Sequence, residues 1–278
     1  MDVYNWPIEH RENENKPEII MILGAFESLH LGHYELFKLA KQLKNQNKNV
    51  QIACLLFKNK QNNNEKIFQL KTRIYTLEHL QVDKTIVINF DDNFKNIDPL
   101  KFINELKNLN VTTVIAGSDF KFGFNRQGNN QMLKQHFITH IIKEKKVNNN
   151  KISSTIIRQL IKEGNLDTTN NLLIEDYAFI VAVKDYKFDF PKNLIKLPAG
   201  IYFCNLVYKD IEYHGFIFIN YQEKENQVVF LDLDEDILFF DELFIEVIKF
   251  FRNINHIAEN KIFKSDLQEA MKFFKNNV

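Results

Sequence analysis

The sequence predicts a doubly wound α/β domain on a parallel sheet, followed by a smaller, mostly β domain that ends in a helix. Three observations predict it. Up to residue 173, short apolar runs alternate with segments whose apolar residues recur at helical spacing, which implies parallel strands joined by right-handed crossovers. After Asp176 that rhythm gives way to successive strand-like runs, and the last segment, Ser265 to Phe274, is amphipathic at the helical period. A chain of 278 residues is long enough for both parts to bury a core, and 45% hydrophobic with 26% charged residues is ordinary for a folded protein.

In order, Ile19 to Phe26 reads as a buried strand, and His33 to Lys44 as a helix carrying Leu36, Leu39, Ala40 and Leu43 on one face. Val50 to Phe57 is a second strand, Thr72 to Leu80 a helix and Thr85 to Phe90 a third strand. Asp98-Pro99 is a helix start, with Asp as N-cap and Pro at the first helical position; Leu100, Ile103 and Leu106 form the expected apolar stripe. Val111 to Gly117 and Phe137 to Ile142 are further strands, and Ser153 to Glu163 is a helix stopped by Gly164, with a short helical pattern on to Leu173. The boundary falls near Leu173 to Tyr177, giving domains 1–175 and 176–278. In the second, Tyr177 to Lys184, Gly200 to Lys209, Ile211 to Asn220 and Gln227 to Asp234 are strand-like, with Lys209-Asp210 at a hairpin turn.

Lys+Arg and Asp+Glu each total 36, so no charge excess points to nucleic acid or a membrane as partner. Met1 to Lys16 lacks the apolar stretch of a secretory signal, and no window approaches the roughly 18 to 20 apolar residues of a membrane span. Cys54 and Cys204 sit in apolar runs without zinc spacing, as buried thiols of a reducing cytoplasm would. A cytoplasmic location is therefore expected; the oligomeric state is not legible. Asn is abundant, in tracts such as Asn62-Asn63-Asn64 and Asn148-Asn149-Asn150, while Gly (8) and Pro (5) are scarce. Such drift can replace glycine and proline at permissive positions.

Three segments carry the chemistry. Gly24-Ala25-Phe26-Glu27-Ser28-Leu29-His30-Leu31-Gly32-His33 joins the first strand to the first helix. Backbone N–H groups and the positive end of the helix dipole favour an anion there, Gly32 permits close approach, and His30 and His33 add donors. Isolated histidines in a loop are usually bland surface residues; two flanking a glycine at the ligand-prone end of a strand are not. Lys151-Ile152-Ser153-Ser154-Thr155-Ile156-Ile157-Arg158 places three hydroxyls at a helix N-terminus and Arg158 one turn in. A plain cap explains one hydroxyl; three beside Lys and Arg suit a phosphate-binding turn. The third segment is Gly117-Ser118-Asp119-Phe120-Lys121-Phe122-Gly123, followed by Arg126 and Gly128, whose bland reading is an aromatic loop packed on the core.

The first two segments together resemble the HxGH nucleotidyltransferase superfamily, and the third resembles a signature of the bacterial bifunctional riboflavin kinase/FAD synthetase family. Leu70-Lys71-Thr72-Arg73, Asn89-Phe90-Asp91 and Gly164-Asn165 fall where that family has landmarks. The resemblance implies a nucleotidyltransferase domain that moves AMP from ATP to FMN, followed by a β-barrel of the riboflavin kinase kind. It gives His30 and His33 to the triphosphate and transition state, and Gly24, Phe26 and Gly32 of the same loop to binding ATP and its phosphates. Lys151, Ser153, Ser154, Thr155 and Arg158 go to the phosphates, and Phe57, Asp119 and Phe122 to the flavin ring. Mg²⁺ would arrive with ATP, with no protein metal ligands assigned. The FMN phosphate, with a second pKa of about 6, is already largely dianionic, so the task is positioning and charge stabilisation rather than base catalysis.

Departures from the family pattern are also visible. Glu27 and Ser28 stand where Asp and Gly are usual, and Lys58-Asn59-Lys60 follows Phe57 in place of a proline-rich run. Asp189-Phe190-Pro191-Lys192-Asn193 and Leu197-Pro198-Ala199-Gly200-Ile201-Tyr202 resemble the kinase landmarks. Lys192-Asn193-Leu194 replaces the metal-binding Thr-Ala-Asn, Phe216 to Tyr221 carries nothing like the next motif, and Gln227 falls near the catalytic Glu. Kinase activity is therefore expected to be lost. Other HxGH adenylyl- or cytidylyltransferases, or a non-catalytic flavin- or nucleotide-binding protein, are the competing readings.

Overall fold

The structure is a computed structural model that describes residues 1–8, 17–58, 65–147, 150–222, 225–233 and 239–277. Asn62 to Asn64, Asn148-Asn149, Asn59-Lys60 and Asp234, singled out above, lie outside the described residues. The chain separates into two compact units, Met1–Asn62 with Arg73–Ser153, and Asn63–Thr72 with Ser154–Val278. Contacts thus sort the two helices after Ser153 with the second unit, whereas the sequence boundary at 175 leaves them in the first domain.

The chain begins with β1 (Asp2–Asn5), β2 (Glu18–Leu23), α1 (Leu31–Gln46), β3 (Val50–Phe57), α2 (Leu70–His79) and β4 (Lys84–Ile88). Then come α3 (Asp92–Lys95), α4 (Pro99–Asn108), β5 (Val111–Gly117), β6 (Lys121–Phe122), β7 (Gly128–Asn129) and α5 (Asn130–Lys134). The first unit ends with β8 (Ile138–Ile142), β9 (Lys146–Val147) and β10 (Asn150–Lys151). Its six-stranded sheet is parallel throughout, in the order β1-β4-β3-β2-β5-β8. The chain leaves β2 towards β3 on one side and later returns to β5 on the other, so the crevice at the carboxyl ends of β2 and β5 is the switch point where such sheets bind ligands.

Burial explains why the strands form where they do. Ile19 to Leu23 are buried without alternation, as are most of β3 and β4, because helices cover both faces of a parallel sheet. α1 buries Leu36, Phe37 and Ala40 and packs on β2, β3 and β5. α4 starts as expected: the Asp98 carboxylate accepts from the N–H groups of Leu100 and Lys101, with Pro99 at the first turn. Its buried stripe differs from the sequence expectation, since Leu100 is 51% exposed while Phe102, Ile103 and Leu106 enter the core. β1 has no counterpart in the sequence reading. All four of its residues are exposed, so only its ladder to β4 holds it, and no hydrophobic pattern marks it.

The second unit contains α6 (Ser154–Lys162), α7 (Leu166–Leu172), β11 (Ala178–Lys184), β12 (Lys187–Phe188), β13 (Gly200–Tyr208) and β14 (Ile211–Ile219). It continues with β15 (Asn226–Phe230), β16 (Phe239–Asn253) and α8 (Lys264–Asn277). The six strands close into a barrel in the order β11-β12-β15-β14-β13-β16, and a β-barrel is what the family resemblance implies for this part of the chain. β16, unassigned from sequence, closes it by pairing with both β11 and β13, with two register shifts against β13 that break its alternation. Ala270 and Phe274 of α8 join Ile201, Phe203, Phe216 and Phe218 in one cluster. Arg252 ties the same helix down with a two-pronged contact, Nε and Nη2 each 2.8 Å from a carboxylate oxygen of buried Asp266. Among the described residues no helix is long and apolar enough to cross a membrane.

The turn between β13 and β14 has both central residues left-handed, Lys209 at φ 50° and Asp210 at φ 63°, the geometry of a two-residue hairpin that favours Asn-Gly. Asp210→Gly should therefore stabilise the protein by about 1 kcal/mol, since the Cβ penalty of a left-handed residue disappears. Urea unfolding compared with wild type checks this; an unchanged or lower midpoint contradicts the turn assignment.

Candidate active site

The loop from Gly24 to His30 leaves the carboxyl end of β2 at the switch point. Phe26 and Leu29 both adopt left-handed conformations, φ 46° and 39°, yet their side chains are buried. Such backbone strain costs on the order of 1 to 3 kcal/mol per residue and persists only where the surroundings impose it. Ser28, fully buried where the family usually has glycine, keeps a negative φ, so the strain falls on its neighbours. Gly24 is required because the Phe26 ring occupies its side-chain space: a Cβ there would come within 2.4 Å of the ring.

His30 is the N-cap of α1, and it caps through its carbonyl, which accepts from the N–H of His33 (2.8 Å) and of Tyr34 (3.3 Å). Its ring is thereby free to turn inward, and it stacks on that of His33 with centroids 3.8 Å apart and planes 9° off parallel. A Cβ on Gly32 would lie 2.9 Å from His30 Cε1, so the glycine between the histidines makes room for the stack. Phe26 meets His33 edge-on at 5.0 Å. Among the described residues both imidazole Nδ1 atoms are buried and lack a hydrogen-bond partner. Burial lowers the His30 pKa to about 4, with the charge of Lys151 adding to the effect. Burial, then the neighbouring His30, holds His33 well below 6.5. Two neutral imidazoles with unspent polar atoms can hydrogen-bond a phosphoryl oxygen, but they are poor proton carriers near neutral pH.

Lys151 and Ser153 close the first unit. Lys151 Nζ donates to Asp119 Oδ2 at 2.9 Å and to Glu144 Oε1, which raises its pKa, while the hydrogen bond from Lys151 lowers that of Asp119. The sequence assigns these two residues to different substrates; the structure pairs them. Ser154, Thr155 and Arg158 belong to the second unit, at the start of α6 and one turn in. Arg158 Nε donates to the Glu65 carbonyl at 3.4 Å.

The third segment divides in two. Asp119 is exposed beyond the end of β5, whereas Phe122 is only 7% exposed and joins the core beside Phe102, 5.0 Å between rings. Gly128 serves that burial, since a Cβ there would strike the Phe122 ring at 2.6 Å, and left-handed Gly123 (φ 72°) lies against Pro99. Phe57 is half-exposed at the end of β3 and meets Phe90 at 5.5 Å and Phe94 at 5.7 Å, both edge-on. Sequence reading names Phe90 only as a landmark and omits Phe94. Arg73, which it names only as the end of a family landmark and gives no role, is 4% exposed and donates from Nη1 to the Phe26 carbonyl at 3.4 Å.

Because the two histidines have folded pKa values below 6.5, the unfolded chain takes up protons first as pH falls, so stability should drop between pH 6.5 and 4. Each contributes up to about 1.4 kcal/mol per pH unit in that window. His33→Ala should flatten the fall in unfolding free energy between pH 6.5 and 5; the same slope as wild type contradicts a buried neutral His33.

A profile of a family described as FAD synthetase matches residues 12–156. The chain is 33% identical over 172 residues to the bifunctional riboflavin kinase/FMN adenylyltransferase of Listeria monocytogenes, covering 57% of this chain and 54% of that protein. Against the Haemophilus influenzae protein of the same description it is 31% identical over 182 residues, 60% of this chain and 59% of that one. The chain thus spans little more than half the length of these curated relatives. The Bacillus subtilis protein of that description aligns over 96% of both chains at 25% identity. A crystal structure described as a macrolide-efflux protein from Streptococcus pneumoniae superposes with a TM-score of 0.76 at 20% identity, over 100% of this chain and 98% of that one. That last likeness concerns the fold alone.

Proposed function

We propose, from the premise that this chain belongs to the FAD synthetase family, that it transfers the adenylyl group of ATP to FMN, giving FAD and pyrophosphate. The observation that carries the reading is the pair of stacked, neutral imidazoles at the sheet's switch point. A phosphate oxygen of FMN bonds to the α-phosphorus of ATP as the bond from that phosphorus to the bridging α–β oxygen breaks. Pyrophosphate leaves with that electron pair, and no protein base is needed. His30 and His33 hydrogen-bond the phosphoryl oxygens where negative charge builds up, the preorganised stabilisation that buried donors supply best. The same reading gives Lys151 and Ser153, of the same unit, to the nucleotide phosphates. Mg²⁺ enters as part of the nucleotide substrate.

For the flavin, the half-exposed Phe57, Phe90 and Phe94 offer a ring-lined surface, and exposed Asp119 a hydrogen-bond acceptor. Phe122 acts on this surface only from within the core. The barrel we read as having lost riboflavin kinase activity. Leu194, in place of a metal-binding side chain, is buried, and Phe216 to Ile219 fill the barrel wall with apolar side chains. Gln227, half-buried on β15, has no carboxylate to take a proton from a flavin hydroxyl.

Incubation with Mg-ATP and either FMN or riboflavin, followed by chromatographic separation of flavins, tests both halves. FAD should form from FMN, and riboflavin should remain unphosphorylated. Absence of FAD overturns the transferase reading; FMN formed from riboflavin overturns the loss of the kinase.

A further inference from the structure

Arg73, on α2 in the first unit, is among the few buried charged residues, at 4% exposed. Burying a guanidinium costs several kcal/mol unless hydrogen bonds and counter-charge compensate. Compensation here is partial. Nη1 makes a long hydrogen bond of 3.4 Å to the Phe26 carbonyl, and among the described residues Nε has no partner. Burial lowers its pKa to about 10, against the opposing influence of the Glu27 carboxylate, so it stays charged near neutral pH. Phe26 and Glu27 are consecutive in the loop that carries the histidines, so the buried charge acts on that loop.

The loop needs such an anchor. Phe26 is left-handed, its ring fills the space over Gly24, and the same ring meets His33 edge-on and Phe37 at 5.5 Å. An unfavourable peptide conformation holds only if its carbonyl and its side chain are both fixed. The ring is fixed by packing, and the carbonyl is the one Arg73 reaches. We infer that Arg73 is a positioning residue for adenylyl transfer: its buried guanidinium pins the Phe26 peptide and so sets the place of the His33 ring against the nucleotide. The inference rests on the transferase reading for its kinetic consequence, but not for its structural one.

The test uses Arg73→Lys, which keeps charge with a different donor geometry, and Arg73→Met, which keeps bulk alone, in the full chain. In both, NMR titration of the imidazoles should show His33 moving up towards its ordinary range by about one pH unit as the loop loosens and the ring gains solvent. In Arg73→Lys the kcat for FAD formation should fall on the order of ten- to a hundredfold, the scale of small misplacements, with KM for ATP within about twofold. On a His33→Ala background the same change should cost less than about twofold, because the two act through one element. Multiplying losses in that cycle, or an unchanged His33 titration in the folded variants, would overturn the inference. So would loss of the fold in both variants, which would make Arg73 a core support. If wild type makes no FAD, the transferase reading fails, and the titration still decides the role of Arg73.

Discussion

The site depends on one constraint: after β2 the chain must pass through a left-handed, fully buried phenylalanine. With Phe26 so placed, its ring covers Gly24 and braces His33, and the peptide beyond it carries the chain to His30 at the head of α1. Gly32 then leaves the gap into which the His30 ring turns, and the two imidazoles stack. Burial keeps them neutral, so the pair presents uncharged polar atoms at the switch point of the sheet. The neighbouring cation Lys151 is already balanced by Asp119 and Glu144. A buried charge in the pair would cost desolvation and repel its neighbour at 3.8 Å; neutrality avoids both.

Much of this was legible in the sequence, for a physical reason. β3 and β5 fall within the predicted bounds because a fully buried parallel strand is an uninterrupted apolar run between turn residues. The Asp98-Pro99 start and the Gly164 stop (φ 72°) are equally local in cause. The histidine loop stood out because glycine between two histidines, after a strand and before a helix, has few structural explanations. What stayed hidden was set by long-range contacts. β1 is held by backbone pairing alone, and β16 alternates irregularly because it shifts register against β13. Leu100 and Phe102 lie two apart on α4, so which one meets the core is decided by the sheet beneath rather than by hydrophobicity. Phe122 shows the limit most plainly: as part of a ligand-type signature it reads as a flavin contact, yet its ring is buried in the core in the space that Gly128 leaves open. Arg73 reads from sequence only as part of a family landmark, and its burial stays hidden, since charge in a helical pattern ordinarily means a solvated face.

Drift in composition has acted unevenly. Where glycine is sterically required, at 24, 32 and 128, it remains, and each position would bring a Cβ within 3 Å of a ring. At Ser28, where the family resemblance expects glycine, the side chain is buried and the backbone φ stays negative. The barrel keeps its closure and its aromatic packing with α8.

The central claim is that the stacked histidines stabilise the transfer itself rather than bind substrate or support the fold. Single-turnover formation of FAD by His33→Ala, with Mg-ATP and FMN both saturating, measures that step alone. The account predicts a rate lower by on the order of 10²- to 10³-fold, with ATP affinity and thermal stability at pH 7.5 close to wild type. A wild-type rate, or a loss explained wholly by weaker ATP binding or a collapsed melting temperature, would contradict it.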